Sequence, residues 1–435
     1  MQSKSQSRNL LRRISRAAVA GLAILVVVMI VSAPYAQAQT YTVLHNFTGG
    51  FDGKNPSAGL TMDAAGNLYG TTCGANCIAG ASNAGTVFRL SKNGSSWPFT
   101  PLYTFRGGND GAGPAARVII GPNGTLYGTT LYGGGSGCGG TGCGTVFNLR
   151  PPPSVPPSIF GGWTETILYR FQGGSDGAYP GFGDLVFDAS GNIYGTTQEG
   201  GNANAGTVFE LTPSGGGWTE NVLYTFSGGS DGNGPLGTLV FVGAGNLYGT
   251  TIGGGGSDLG TVFELTPSAS GWTETVLHNF QGGSDGSYPI GGVTDQFYYG
   301  TVGTTSQAGT NGGGTAFVLN NQMFLYSFPN GSGSYYPGPW SSLVYGPIGY
   351  SATTYADGAH QYGSVFYMYG CAGWEADTLH DFTGGQDGAY PVSSIAFDAN
   401  GNMFGTASEG GAYGFGVVFE ITAPSEDVSQ CAKSQ

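Results

Sequence analysis

Six aspartates recur in one context, G-G-x-D-G: Asp52, Asp110, Asp176, Asp231, Asp285 and Asp387. Carboxylate oxygens are the donors that calcium prefers, so repeated acidic turns leave calcium open as a ligand. Each turn supplies one acid and not a cluster, however. An Asp between glycines more often caps its own turn by accepting backbone N–H bonds, while the glycines take positive φ. The motif reads chiefly as a hinge between repeating units, and no cofactor is expected.

The six cysteines offer a second chemistry. Cys73 with Cys77, and Cys138 with Cys143, sit in two Gly-rich loops, where local disulfides are the natural reading for an exported chain. A four-thiolate zinc site joining both loops is the alternative. Cys371 and Cys431 are expected to pair, because adjacent repeats would bring them to one side. His45, His278 and His380 stand where other repeats have Tyr, and His360 is isolated, so no His cluster suits a metal or a catalytic triad. No nucleophile motif or phosphate loop appears, and no catalytic residue is assigned.

Chemistry breaks symmetry whereas packing repeats it, so the irregular positions matter most. Tyr179, Tyr288, Tyr336 and Tyr390 each precede a proline, and the stretch "PNGSGSYYPGPW" adds Tyr335 and Trp340 while losing the Asp. Glu199, Asp258 and Glu409 fall in loops expected on the same rim. Aromatic faces beside carboxylates stack on sugars and accept their hydroxyl hydrogens. Loop packing explains the Tyr-Pro pairs equally well. Trp97, Trp163, Trp218, Trp272 and Trp374 recur at one repeat position and read as packing between units.

The elements that must position these residues follow from internal repetition. A unit of L-[YH]-x-F-x-G-G-x-D-G, an apolar triplet, G-N-L-Y-G-T-T, a Gly-rich stretch, G-T-V-F-E-L-T-P and G-W-T-E-T-V has its leading Leu at Leu44, Leu102, Leu168, Leu223, Leu277, Leu325 and Leu379. Each unit holds four strand-like runs, as in "DLVFD", "NIYGTT", "GTVFELT" and "TENVLYTF" of the third. Adjacent apolar residues such as Leu185, Val186 and Phe187 require both sheet faces to be covered. Blades packed around an axis achieve this, so the expected fold is all-β, a seven-bladed β-propeller of four-stranded blades. "YTVLHNF" at the start is a fourth-strand run and "GVVFEIT" near the end a third-strand run, which predicts that the N-terminal strand completes the last blade.

Composition agrees, with 84 Gly and 9% charged residues. Residues 1–38 read as a signal peptide: Arg8, Arg12, Arg13 and Arg16 precede an apolar run that ends at Pro34 and "AQA". Removing it leaves eight basic residues against 26 acidic ones, a formal charge of −18. Such a surface excludes nucleic acid and anionic lipid as partners.

The words "NLYGTT", "GTVFELTP", "GWTETVL" and "GGSDG" resemble the bacterial GloVer tandem repeats, named for Gloeobacter and Verrucomicrobia, over about residues 42–422. The resemblance implies an exported or surface-attached protein and brings no settled activity. The tail "APSEDVSQCAKSQ" departs from the anchored pattern, so free export is expected.

The expected organisation is a signal at 1–38, the propeller at 39–422 and a tail at 423–435. The expected product is a secreted, periplasmic or cell-surface monomer with no membrane span after signal removal. It acts as a binding module, with an extracellular glycan or a surface protein as partner. A propeller enzyme of lactonase or lyase type, with carboxylates or calcium at the channel mouth, is the alternative, and a structural envelope protein the second.

Overall fold

The computed structural model describes residues 39–74, 84–152, 162–296, 300–319, 323–329, 336–347, 349–370 and 373–423. Seven four-stranded antiparallel sheets form the blades of a β-propeller. Blade three is typical, with strands at Val186–Phe187, Ile193–Thr197, Thr207–Ser214 and Gly217–Thr225. Its second strand is wholly buried, whereas the first six residues of its fourth alternate between exposed and half-buried, as the outermost strand of a blade should.

The core lies in the seams between blades. Tyr69 and Val87 of blade one pack with Val118, Leu126 and Phe147 of blade two, and the other blade pairs repeat the pattern. Third-strand phenylalanines fill these seams, and each contributes about 1.5–3 kcal/mol by burial. Their rings fit because the second strand offers a glycine: a Cβ on Gly195 would stand 2.6 Å from the Phe209 ring. Glycine in "NLYGTT" is thus a steric requirement for close approach.

The repeat's leading Leu has one structural role in all seven blades. Pairing between third and fourth strands skips it each time; Val208 faces Tyr224, Phe209 faces Val222, and Leu223 is the extra residue between them. Leu44, Leu102, Leu168, Leu277, Leu325 and Leu379 are skipped likewise. Such a β-bulge re-aims the side chains that follow it.

Ring closure follows the sequence expectation. Blade seven combines Ala396–Phe397, Met403–Ala407 and Val417–Ile421 with the N-terminal Tyr41–Asn46, which pairs antiparallel to Val417–Ile421. The join is sealed by side chains too. Tyr41 stacks on His380 at 3.7 Å and donates its hydroxyl to the Asp387 carbonyl oxygen, and Phe47, Leu60, Phe88 and Phe404 share one buried cluster.

The recurrent tryptophans bridge blades as expected in four cases, Trp97 on Phe404, Trp163 on Tyr69, Trp218 on Tyr127 and Trp272 on Tyr194. Trp374 also meets Tyr350 of its own blade. Among the described residues no helix is long and apolar enough to cross a membrane.

Candidate functional site in the central channel

The repeated Asp turn serves folding. Asp176 Oδ2 accepts the Gln172 N–H at 2.9 Å and the Tyr169 O–H at 3.1 Å, and Oδ1 accepts the Gly174 N–H at 3.3 Å. Protein donors thus occupy both oxygens. Asp110 and Asp231 accept from Tyr103 and Tyr224 in the same way, whereas Asp52, Asp285 and Asp387 pair with His45, His278 and His380. Among the described residues no group of three or more His, Cys, Asp or Glu side chains could hold a metal ion.

The cysteines resolve in part. Cys138 and Cys143 form a disulfide, which removes two thiolates from the alternative zinc site. Cys73 is disulfide-bonded, while its expected partner Cys77 lies outside the described residues, as do Cys371 and Cys431.

The segment between each Asp turn and the first strand of a blade faces the axis. Inter-blade bonds hold these segments in place: Thr71 Oγ1 donates to Ala116 O at 3.1 Å, Thr304 to Ser341 O at 3.2 Å, Thr353 to Ser393 O at 3.0 Å and Thr406 to Ala58 O at 2.8 Å. Together the seven segments enclose a cavity of about 320 Å³, a size that suits a small ligand. Small residues make up most of the wall, and two opposed groups break the symmetry.

One group comes from blades two and three. Arg117 Nε and Nη2 donate to Asp184 Oδ2 at 3.0 and 2.8 Å, and the Arg117 backbone N–H donates to Oδ1 at 2.9 Å. Beside them Phe182 is 43% exposed at the wall. Blade three carries one extra residue here, since Leu185 follows Pro180 by five positions where the other blades have four. None of these three residues was selected from sequence. The five-residue spacing was the available signal for Phe182, but nothing local announced that Arg117 and Asp184 would meet.

The other group comes from blades six and seven. Trp340 stacks on Tyr355 at 4.4 Å, Tyr355 meets Tyr390 at 5.0 Å, and Trp340, Tyr355 and Glu409 all line the cavity. Burial raises the hydroxyl pKa values of Tyr355 and Tyr390, and the nearby Glu409 carboxylate raises them further. Trp340 is half-buried, and its indole N–H donates to Tyr336 O at 3.0 Å, so it is less free than an exposed anchor would be.

Tyr336 is not the equivalent of the other Tyr-Pro tyrosines. Tyr179, Tyr288 and Tyr390 have φ of 59°, 58° and 54°, and their carbonyls accept from Gln198, Ser306 and Ser408. In blade six Gly338 accepts the corresponding bond from Tyr355, so Gly338-Pro339 holds that place. Trp340 therefore occupies the first wall position, and Tyr336 lies behind it in edge contact with Tyr288 at 5.1 Å. Three tyrosines are held at positive φ at a repeat position where Asn55, Gly113 and Gly234 stand in other blades, so the turn itself requires that conformation, at a cost of about 1–3 kcal/mol for each Tyr.

Glu199 stands in blade three where Glu409 stands in blade seven, since both bridge to the Ala after the Asp turn. It lies near Tyr132 and Tyr179, away from the cavity wall. The structure thus gathers Trp340 and Glu409 at the cavity, with Tyr390 and Tyr336 behind them, and leaves Tyr179, Tyr288 and Glu199 elsewhere on the rim. Tyr335 lies outside the described residues.

A family model for the Gloeobacter/Verrucomicrobia repeat matches residues 30–160 and 138–346. No curated protein matches the chain. Among solved structures, a candidate 6-phosphogluconolactonase from Bacteroides uniformis is 16% identical over 75% of this chain and 84% of its own, with a TM-score of 0.46. A candidate oxidoreductase of glucose dehydrogenase type from Thermus thermophilus is 15% identical over 88% of this chain and 100% of its own, with a TM-score of 0.42. Likenesses of this degree carry no functional argument.

Proposed function

The chain belongs to the Gloeobacter/Verrucomicrobia repeat family, and from that premise we propose that its propeller is an exported binding module that takes an extracellular glycan at the channel mouth. The observation that carries this reading is that one cavity brings aromatic side chains, Trp340, Tyr355 and Phe182, together with polar ones, the Arg117–Asp184 pair and Glu409. A sugar ring has an apolar face and a polar edge, and a cavity that offers aromatic faces beside polar groups suits both. The Cys138–Cys143 disulfide supports an oxidising compartment. Asp184 is committed to Arg117 through both oxygens, which makes it a poor general base and favours binding over catalysis.

A glycan-array screen of the purified protein tests the proposal. Trp340→Ala should weaken binding to any glycan captured by roughly 1–3 kcal/mol, the range for a well-packed aromatic anchor. Phe51→Ala, at a rim residue that is 75% exposed and outside the cavity wall, should leave it unchanged. Capture that survives Trp340→Ala, or no capture at all, would sink the assignment.

A further inference from the structure

Three charged side chains line the described cavity wall, Arg117, Asp184 and Glu409. The Arg117 charge is already engaged. Its guanidinium and backbone N–H groups donate to both oxygens of Asp184, and the Asp184 N–H donates to Thr238 Oγ1 at 2.9 Å, so three successive blades fix the pair. Charge-assisted, two-point pairing of this kind is strong and directional. The pair is also largely withdrawn from water, with side-chain exposures of 30% for Arg117 and 13% for Asp184. Glu409, by contrast, is exposed and has no ion pair among the described residues. The wall therefore presents a net negative charge to whatever enters it.

Resting on the glycan reading above, we infer that the channel selects by charge: it takes uncharged sugar residues and rejects those carrying an anionic substituent. An anion in the cavity meets Glu409 directly. It gains little from Arg117, whose charge Asp184 already offsets, and taking over the Nε and Nη2 donors would strand a poorly hydrated Asp184 without its counter-charge, which is strongly unfavourable. The field of the whole chain, with a formal charge of −13, opposes the same ligands at longer range. An uncharged ring needs neither rearrangement. It can use the Ser394 hydroxyl, the oxygen of Ser342, whose own proton goes to Gly291 O, and the aromatic faces of Trp340 and Tyr355, all of which line the wall.

Titration calorimetry on matched pairs tests this, each pair being a neutral oligosaccharide and the same chain oxidised to the carboxylate at its primary hydroxyls. The neutral member should bind about tenfold or more tightly than its acid at low salt, and the gap should narrow in molar salt, where screening is short-ranged. Glu409→Gln should shrink the ratio between the two. Asp184→Asn, which releases the Arg117 charge, should shrink it further or reverse it. Acidic members binding as tightly as neutral ones, or in their place, would overturn charge selection while leaving the glycan reading standing. Binding of neither member in any pair would remove both.

Discussion

Tyr103 donates its phenolic O–H to Asp110, seven residues further along the chain, at 3.1 Å. Tyr169 and Asp176, and Tyr224 and Asp231, repeat the bond at the same distance. The residue facing this pair from the next blade correlates with its chemistry. Where that residue is Glu165, Glu220 or Glu274, near Asp110, Asp176 or Asp231, the donor is Tyr. Where it is aromatic the donor is His, with His45 stacked on Phe99 at 4.3 Å and His380 stacked on Tyr41. These five seams are thus matched across two blades.

Removing the turn carboxylate should destabilise the fold without touching the cavity. Asp176→Ala leaves the Gln172 N–H and the Tyr169 O–H without their acceptor, for an expected loss of about 1–3 kcal/mol in denaturant unfolding. A double-mutant cycle with Tyr169→Phe should show coupling of roughly 0.5 kcal/mol or more. Additive losses would mean that the hydrogen bond contributes nothing of its own.

The seam glutamates make stability depend on pH. Burial, and then the nearby Asp, pushes the carboxyl groups of Glu165, Glu220 and Glu274 from 4.5 up to about 7. The folded chain therefore holds protons that the unfolded chain releases, and this contribution to stability falls as pH rises from 4.5 through 7. Each group is only partly buried, so each effect stays below the ~1.36 kcal/mol per pKa unit of an unscreened site. His45 and His380, lowered chiefly by burial, act in the opposite sense, with stability present above 6.5 and lost as pH falls through their folded values. Comparing the melting temperature of Glu165→Gln/Glu220→Gln/Glu274→Gln with that of the parent isolates the glutamates. The variant should gain on the parent as pH rises from 4.5 to 8, and a flat difference would contradict the assignment.

Closure by the N-terminal strand makes residues 41–48 indispensable. Their deletion bares the edge formed by Val417–Ile421 and removes Phe47 from the closing seam. Aggregation or loss of cooperative unfolding is expected, because an unpaired edge is a template for other chains. Light scattering and thermal melts indistinguishable from the parent's would show that the ring does not need this strand.

Loss of the Cys138–Cys143 bridge should have a local effect only. The Cys138–Cys143 bridge closes a short loop, for which chain entropy suggests about 2 kcal/mol before strain. Cys138→Ser/Cys143→Ser should lower stability by no more than that and leave the far-UV spectrum intact. Zinc uptake by the oxidised protein, measured by metal analysis, should be absent.

The architecture was legible in the sequence because a blade is specified locally. "NLYGTT" carries the glycine that Phe209 and its counterparts need, the Asp turn carries its own cap, and strand types at the two ends announce which strand closes the ring. The channel was legible only in outline. Trp340 and Glu409 stood out by their irregularity, yet Tyr336 was aligned with the wrong residues, because the loop adds length before Pro339 and only hydrogen bonding to Tyr355 reveals the register. The Tyr103–Asp110 bond was hidden in a visible spacing, since the bulge at Leu102 resets which way the next residue points. Arg117 and Asp184 lie 67 residues apart. Their pairing exists because closing the ring sets neighbouring wall segments side by side, and that distance is fixed by the packing of whole blades, which no local pattern of residues encodes.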